Sequence, residues 1–375
     1  MTVPKRAAED QNSNMRTSIV LPKLYLGTMN FGWSQASSKV DQSVATSMIE
    51  SFLHHTNVRC PQSLSYIDTA RIYAGGKTET ILGQALQGLT HHPHYPSITV
   101  GTKAHPSQPD GLSSVGIRNQ LAASREALGH LTSIGEYYLH QPDTTQDLLS
   151  SLQTAHQLKM EGLISSVGMS NYHYTEMRRA FDLCDQYNLT KPSVYQGLYN
   201  PLNRMVEEDL LPLLRENSCS FVAYNPLAAG LLTGKHRREG EVIKGRFKNN
   251  ENYLPRFYTS ENFHAIDRIA AACNEAKISL VDATFMWLLR YSALTPMDGV
   301  LIGASSMAQL EQNLDACAKA AECHELPVYV LEAMNCAWDD IISNGSPFPY
   351  WRSYSSDMPN RLNLDPGASY SAGKK

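Results

Sequence analysis

Residues 134–169 read IGEYYLHQPDTTQDLLSSLQTAHQLKMEGLISSVGM, and the reading of this stretch decides the fold. It opens with a β-branched and aromatic run, Ile134–His140, which predicts a strand. From residue 145 to 161 the pattern changes. Leu148, Leu149, Leu152, Ala155 and Leu158 recur at spacings of three and four, which is one buried face of a helix. A second short apolar run, Ser165–Met169, follows. One helix joining two strands is a crossover, and crossovers join parallel strands.

The same alternation extends both ways along the chain. Further strands are predicted at Leu24–Gly27, Ser65–Asp68, Ser97–Thr102, Val194–Gly197, Phe221–Tyr224 and Val300–Ile302. Helical patterns fall around 40–55, 78–88, 113–128, 174–187, 206–217, 262–276 and 306–319. Strands each followed by a helix give an α/β chain, and eight of them close a (β/α)8 TIM barrel. The rival, an open doubly wound sheet, carries a Gly-x-Gly-x-x-Gly fingerprint that is missing from this chain. The expected organisation is one barrel domain over 18–352, between a flexible N-terminal tail at 1–17 and a flexible C-terminal tail at 353–375. Two segments exceed the barrel's needs: a long connection at 225–259 and an extra helix at about 327–342. Long loops on the C-terminal face of a barrel build or cover its site.

Composition narrows the class. Of 375 residues, 42% are hydrophobic and 18% charged, which describes a globular protein, and a net charge of −4 supplies no basic field for nucleic acid. No apolar run reaches the ~20 residues that span a bilayer, and the first 17 residues lack a signal-like apolar core. A cytoplasmic protein is expected. Its seven cysteines are spread without a Cys-x-x-Cys pair, so they are read as free thiols.

In a barrel, ionisable groups at strand ends converge. Asp68 closes SYID, Lys103 closes ITVGTK and His140 closes GEYYLH, while Tyr73 follows Asp68 within DTARIY. A phenol has an ordinary pKa of ~10 and is a poor acid at neutral pH. A neighbouring ammonium stabilises the phenolate, and a carboxylate paired to that ammonium keeps it charged. A histidine can hydrogen-bond a substrate oxygen. Together these groups would polarise a carbonyl and protonate the alkoxide left by hydride attack. The pattern needs no metal.

The motifs DTARIY, GTK, YLH, VGMSNY, YQGLYN, YNPLAAGLLTGK and GASSMAQLEQNL stand in the order found in aldo-keto reductases. The resemblance spans about residues 22 to 352 and is closest to the aflatoxin B1 aldehyde reductase branch, through VYQGLYNPLNRMVEEDLLPLLRE and AYNPLAAGLLTGKH. It implies carbonyl reduction with NADPH at the barrel mouth. By that resemblance Tyr73 is the general acid, Lys103 and Asp68 tune it, and His140 orients the carbonyl. Ser170, Asn171 and Gln196 hold the nicotinamide carboxamide, and Tyr224 stacks on the ring. The segment Asn225–Lys235, with Pro226, Leu227, Gly230, Leu232, Gly234 and Lys235, straps the pyrophosphate. The same GLLTGKH is not a phosphate loop, because His236 stands where Ser or Thr is required.

At the adenosine end the chain departs from the wider superfamily. Gly303 and Gln309 occupy positions where many members carry Lys and Arg. Ser305 and Ser306 at a helix start, Gln312, the adenine contact Asn313, and Arg246 in KGRF remain as expected ligands, and NADPH is expected over NADH. Arg256 and Arg352 match arginines that meet a substrate carboxylate in the family. Trp33, with Met29, Phe31 and Trp351, points to an aromatic-friendly pocket suited to a bulky carbonyl and to a tailoring role in secondary metabolism. The expected partner is a small-molecule carbonyl substrate, with the chain a monomer or homodimer. The other class kept open is a nicotinamide-binding regulatory protein like potassium-channel β subunits. The histidines of THHPHYP (90–96) are read as a solvated loop rather than a metal site, and the basic run Lys235–Arg238 as meeting a cofactor phosphate rather than nucleic acid.

Overall fold

The computed structural model describes residues 20–129, 131, 133–236, 247, 248, 250, 253–322, 324–345, 347–365, 367 and 368. Eight strands form one closed parallel barrel: β1 (Lys23–Gly27), β2 (Ser65–Asp68), β3 (Ile98–Ala104), β4 (Ile134–Leu139), β5 (Ile164–Ser170), β6 (Val194–Leu198), β7 (Ser220–Tyr224) and β8 (Gly299–Gly303). β1 closes on β8 in register, with Lys23 opposite Gly299 and Gly27 opposite Gly303. The helices are α1 (Gln42–His54), α2 (Lys77–Gly88), α3 (Ser114–Ala127), α4 (Leu148–Met160), α5 (Tyr174–Gln186), α6 (Leu210–Glu216), α7 (Leu254–Phe257), α8 (Ser260–Glu275), α9 (Leu280–Met286), α10 (Met307–Ala321) and α11 (Val328–Asn344).

Helix starts follow from side-chain caps. Ser113, Asp147, Thr259, Ser279 and Ser306 each accept a hydrogen bond from a backbone N–H in the first turn of α3, α4, α8, α9 and α10. α4 starts later than the expected residue 145. Asp143 Oδ1 takes the Thr145 N–H at 2.8 Å, an Asx turn that competes with helix, and Asp147 then caps Ser150 N at 2.7 Å.

Alternation along β4 sorts its side chains. Tyr138 faces inward, in a small cluster with Tyr25, Val194 and Val222. Tyr137 and Leu139 face the helices in the main core, where the Tyr137 hydroxyl donates to Ile117 O of α3 at 2.9 Å. Burying each such aromatic contributes about 1.5–3 kcal/mol.

Two expectations change. Between β7 and β8 one helix was expected at 262–276, whereas α8 is followed by α9 and a π-helical turn, Trp287–Tyr291. Val281, Ala283, Phe285, Met286, Trp287, Leu288 and Leu289 are all buried, so the stretch shows no polar face and no helical period. The segment after Arg352, expected to be a flexible tail, is tied to other elements at several described points, although Asp357, Asn360 and Leu362 are exposed. Tyr354 and Ser355 are 5% and 2% exposed, Ser356 N donates to Asp143 O and Gln146 O at 3.1 Å, and Ala368 N donates to Trp351 O at 2.9 Å. Several of its polar groups find partners on other elements rather than water. The expected N-terminal tail, 1–17, lies outside the described residues.

Candidate active site

The C-terminal ends of the strands open into one cavity of about 1010 Å³. Beneath its floor lies Lys103 at 0% exposure, whose Nζ donates to Asp68 Oδ1 and Oδ2 at 2.6 and 2.7 Å and to Thr69 O at 2.7 Å. All three ammonium protons are thereby directed. Burial pulls the Lys103 pKa down, and the Asp68 carboxylate opposes that pull. Gln196, from β6, donates its amide to Asp68 Oδ1 at 2.9 Å. Asp68 lines the cavity and Lys103 stands behind it.

Tyr73 sits in a tight turn after β2, with its ring 5.3 Å from Lys103 Nζ and edge-on to the His140 ring at 5.9 Å. The turn is fixed from below. Arg71 pairs with Glu79 at 2.5 Å, and Glu79, at 0% exposure, also accepts from Thr102 of β3 at 2.6 Å. Ala74 and Gly75 continue the turn with φ of 47° and 65°.

His140 is held by its backbone N–H on Ala104 O at 2.9 Å. Burial, then His105, Lys103 and Arg352, push its pKa well below the ordinary value, so the imidazole is neutral. Its Nδ1 is buried without a hydrogen-bond partner among the described residues. His105, a wall residue missed in the sequence, packs edge-on against it at 5.0 Å and is pushed down to about 4, first by burial and then by Arg352. The strand end explains the miss. β3 runs to Ala104 rather than Thr102, so the residue at the mouth is His105.

A second group of polar side chains interlocks beside these. Asn171, with φ of 62°, donates to His140 O and Ser170 Oγ, both at 2.9 Å, and accepts the Tyr224 hydroxyl at 2.8 Å. Ser170, Asn171, Gln196 and Tyr224 all line the cavity. So do Asn225, Pro226, Leu227, Gly230 and Lys235 on the following segment, where Asn225, Ala228, Ala229 and Gly230 all have positive φ. Leu232 and Gly234 do not line it. Leu232 is 0% exposed in the core, and a Cβ on Gly234 would point at Leu280. A looping chain presents some positions to the cavity and turns the next ones inward.

At the far end Ser305, Gln309, Gln312 and Asn313 line the cavity at the start of α10. Ser306 is the cap of α10 rather than a wall residue, with Gln309 N donating to its Oγ at 3.3 Å. Ser37, missed in the sequence, meets Ser305 Oγ at 2.5 Å and brings the loop after β1 to this end. A Cβ on Gly303 would meet no atom within 4 Å. Arg246 lies outside the described residues.

Met29, Trp33, Arg256 and Arg352 line the opposite wall, whereas Phe31 and Trp351 lie behind it. Arg256 is 5% exposed, its guanidinium 4.4 Å above the Phe348 ring, with Nε and Nη2 lacking partners among the described residues. Phe247, Tyr253 and Tyr258 extend the wall with aromatic surface that the sequence did not single out. No group of His, Cys, Asp and Glu among the described residues is arranged to hold a metal ion. No described helix is long and apolar enough to cross a membrane.

A group bearing an amide, a flat ring, phosphates and hydroxyls fits this donor set: amides and hydroxyls at Ser170, Asn171 and Gln196, an aromatic face at Tyr224, and a helix start at the far end. Comparisons agree in kind. Residues 23–325 match the Aldo/keto reductase family. The chain is 36% identical over 330 residues to aflatoxin B1 aldehyde reductase member 2 of Rattus norvegicus, covering 85% of each chain. It is 35% identical to human aldo-keto reductase family 7 member A3, over 84% of this chain and 94% of that one. It is 30% identical to the oxidoreductase sirO of Leptosphaeria maculans, over 78% of this chain and 88% of the other.

Proposed function

From a chain that belongs to the aldo/keto reductase family, we propose an NADPH-dependent reductase that converts an aldehyde or ketone to its alcohol, with Tyr73 as proton donor. The observation that carries this reading is the fully buried Lys103–Asp68 pair with the Tyr73 ring 5.3 Å from Nζ. When bound, the nicotinamide supplies a hydride to the carbonyl carbon. Tyr73 gives its hydroxyl proton to the carbonyl oxygen as negative charge develops there, and the open mouth lets solvent return that proton. Lys103 favours the phenolate so formed, and Asp68 keeps the ammonium charged in a dry site. His140, being neutral, orients the oxygen by a hydrogen bond without competing as an acid.

Ser170, Asn171 and Gln196 would hold the carboxamide, Tyr224 would cover one ring face, and the Asn225–Lys235 segment would follow the phosphates. Lys235, Arg246, Ser305, Gln309, Gln312 and Asn313 would take the adenosine phosphate end. The wall of Trp33, Tyr253 and Tyr258 and the size of the cavity support a bulky aromatic carbonyl, as in a tailoring reductase, and Arg256 and Arg352 supply a place for an anionic substituent. One relative is named for an aldehyde of aflatoxin B1, in line with a bulky substrate.

The test is Tyr73→Phe. Turnover of an aldehyde panel, followed by NADPH oxidation, should fall by about 10²–10⁴. NADPH affinity, read by fluorescence titration, should hold. Near-full turnover in the variant would remove Tyr73 from its assigned role.

A further inference from the structure

Arg352 does not stand on the barrel. It stands on the segment from Phe348 to Ala368, which crosses the starts of α4 and α5. Where it leaves the cavity this strap is tied by Arg352 N on Asn171 O at 3.0 Å. Farther along, Asp357 Oδ1 accepts the Leu148 N–H at the start of α4 at 3.0 Å and pairs with Arg179 of α5. Earlier on the strap, the Tyr350 hydroxyl accepts the first N–H of α5, from Tyr174, at 3.1 Å. The rings of Tyr350, Trp351 and Tyr354 pack about His173, the cap of α5.

Midway lies a contact that packing does not explain. Glu176, in the first turn of α5, is 0% exposed, and its Oε1 accepts the Ser355 N–H at 2.8 Å. Its Oε2 is buried with no partner among the described residues. An apolar side chain would fill this place without the penalty of a half-satisfied carboxyl. It would, however, leave the buried Ser355 N–H unpaired, and Ser355 is only three residues from Arg352, a tether of about 10 Å at full extension.

We propose that Glu176 is a positioning residue for substrate recognition: by gripping the Ser355 amide it holds the strap that presents Arg352 to the cavity. The inference rests on the reading that Arg352 meets an anionic part of the substrate. Glu176 touches neither substrate nor cofactor. Its loss therefore acts on affinity for charged substrates and leaves the Tyr73 chemistry intact.

The experiment compares 4-carboxybenzaldehyde with 4-nitrobenzaldehyde on the full-length wild type, Glu176→Leu and Glu176→Gln. In the Leu variant KM for the carboxylated aldehyde should rise about tenfold, the upper end of what one lost hydrogen bond produces. Turnover of the nitro compound should stay within about twofold, and Gln, which keeps an acceptor oxygen, should restore KM. Amide exchange at 353–358, measured without substrate, should quicken in Glu176→Leu alone. Unchanged exchange and KM, or equal losses on both aldehydes, overturns the proposal. If the wild type reduces neither aldehyde, the reductase reading fails while the exchange comparison still judges the grip. Should Glu176→Leu not fold, Asp357→Ala on the outer strap should raise the same KM, and an unmoved KM there counts against the proposal.

Discussion

Two carboxylates lie inside this barrel, Asp68 buried and Glu136 half-buried, and they are held in different ways. Asp68, on the second strand, meets an ammonium and an amide: Lys103 Nζ at 2.6 Å and Gln196 Nε2 at 2.9 Å. Glu136, lower on the fourth strand, meets two phenols: Tyr25 at 2.9 Å and Tyr138 at 2.6 Å. Burial pushes the Glu136 carboxyl up, with the phenols pulling against it. Lys103 lies between the two levels, its Nζ 5.4 Å from the Tyr138 ring below and 5.3 Å from the Tyr73 ring above. The lesson concerns partners. A carboxylate with an ionic partner next to an open cavity fixes a charge where chemistry can use it. One set lower, half-buried beside aromatic rings and held by neutral donors, serves packing.

The strongest way to break this comparison is Lys103→Met. Asp68 would remain buried without its counter-charge, at a cost of about 3–5 kcal/mol in unfolding free energy. Carbonyl reduction should also fall by about 10²–10³ as Tyr73 loses the ammonium beside it. Urea unfolding and steady-state turnover measure the two effects, and a stable, active variant would refute the contrast.

A fully buried carboxylate outside the barrel sharpens it. Glu176 has the Ser355 amide for a partner, with Arg179, Asp357, Tyr172 and Tyr354 facing it, and burial pushes it up to about 7. An unfolded-state value near ~4.3 lies below that, so the native state binds the extra proton. The stabilisation from this group is full below about pH 4.3 and is lost as pH rises through about 7. Glu176→Gln does not titrate. Relative to wild type it should gain stability between about pH 5 and about pH 8, by up to about 3 kcal/mol. A stability difference that does not vary with pH would contradict the assignment.

The smallest effect is expected at the floor. Glu136→Gln keeps an acceptor for one phenol and should change stability by about 1 kcal/mol, with turnover within about twofold. A large loss of turnover there would show that the lower level also feeds the chemistry.

How much of this was legible in the sequence varies with the physics. Strand ends carrying Asp68, Lys103 and His140 stood out because an ionisable residue closing an apolar run is conspicuous. Helices such as α4 stood out because one face is polar. α9 did not, because burial on every side erases the period. His105 was hidden by a strand that runs two residues longer than its apolar core suggests. The strap was hidden because Ser, Pro and Asn look the same whether their partners are water or the backbone of another element. Leu232 and Gly234 show that a motif can be matched as a block although only some of its residues face the ligand space.

The cavity rim also carries backbone that is not fully relaxed. Ala74, Asn171, Asn225 and Ala229 line it with positive φ. A left-handed alanine costs roughly 1–2 kcal/mol and a left-handed asparagine less, so Ala74 and Ala229 store a few kcal/mol of tension that the surrounding core must withstand. Tension held in short turns can be adjusted one residue at a time without touching the barrel. Glycine at Ala74 or Ala229 would relax it, and the rim would trade rigidity for reach. The fold thereby keeps two separate reserves, a wall that resists change and a lip on which new substrate preferences can be tried at modest risk to folding.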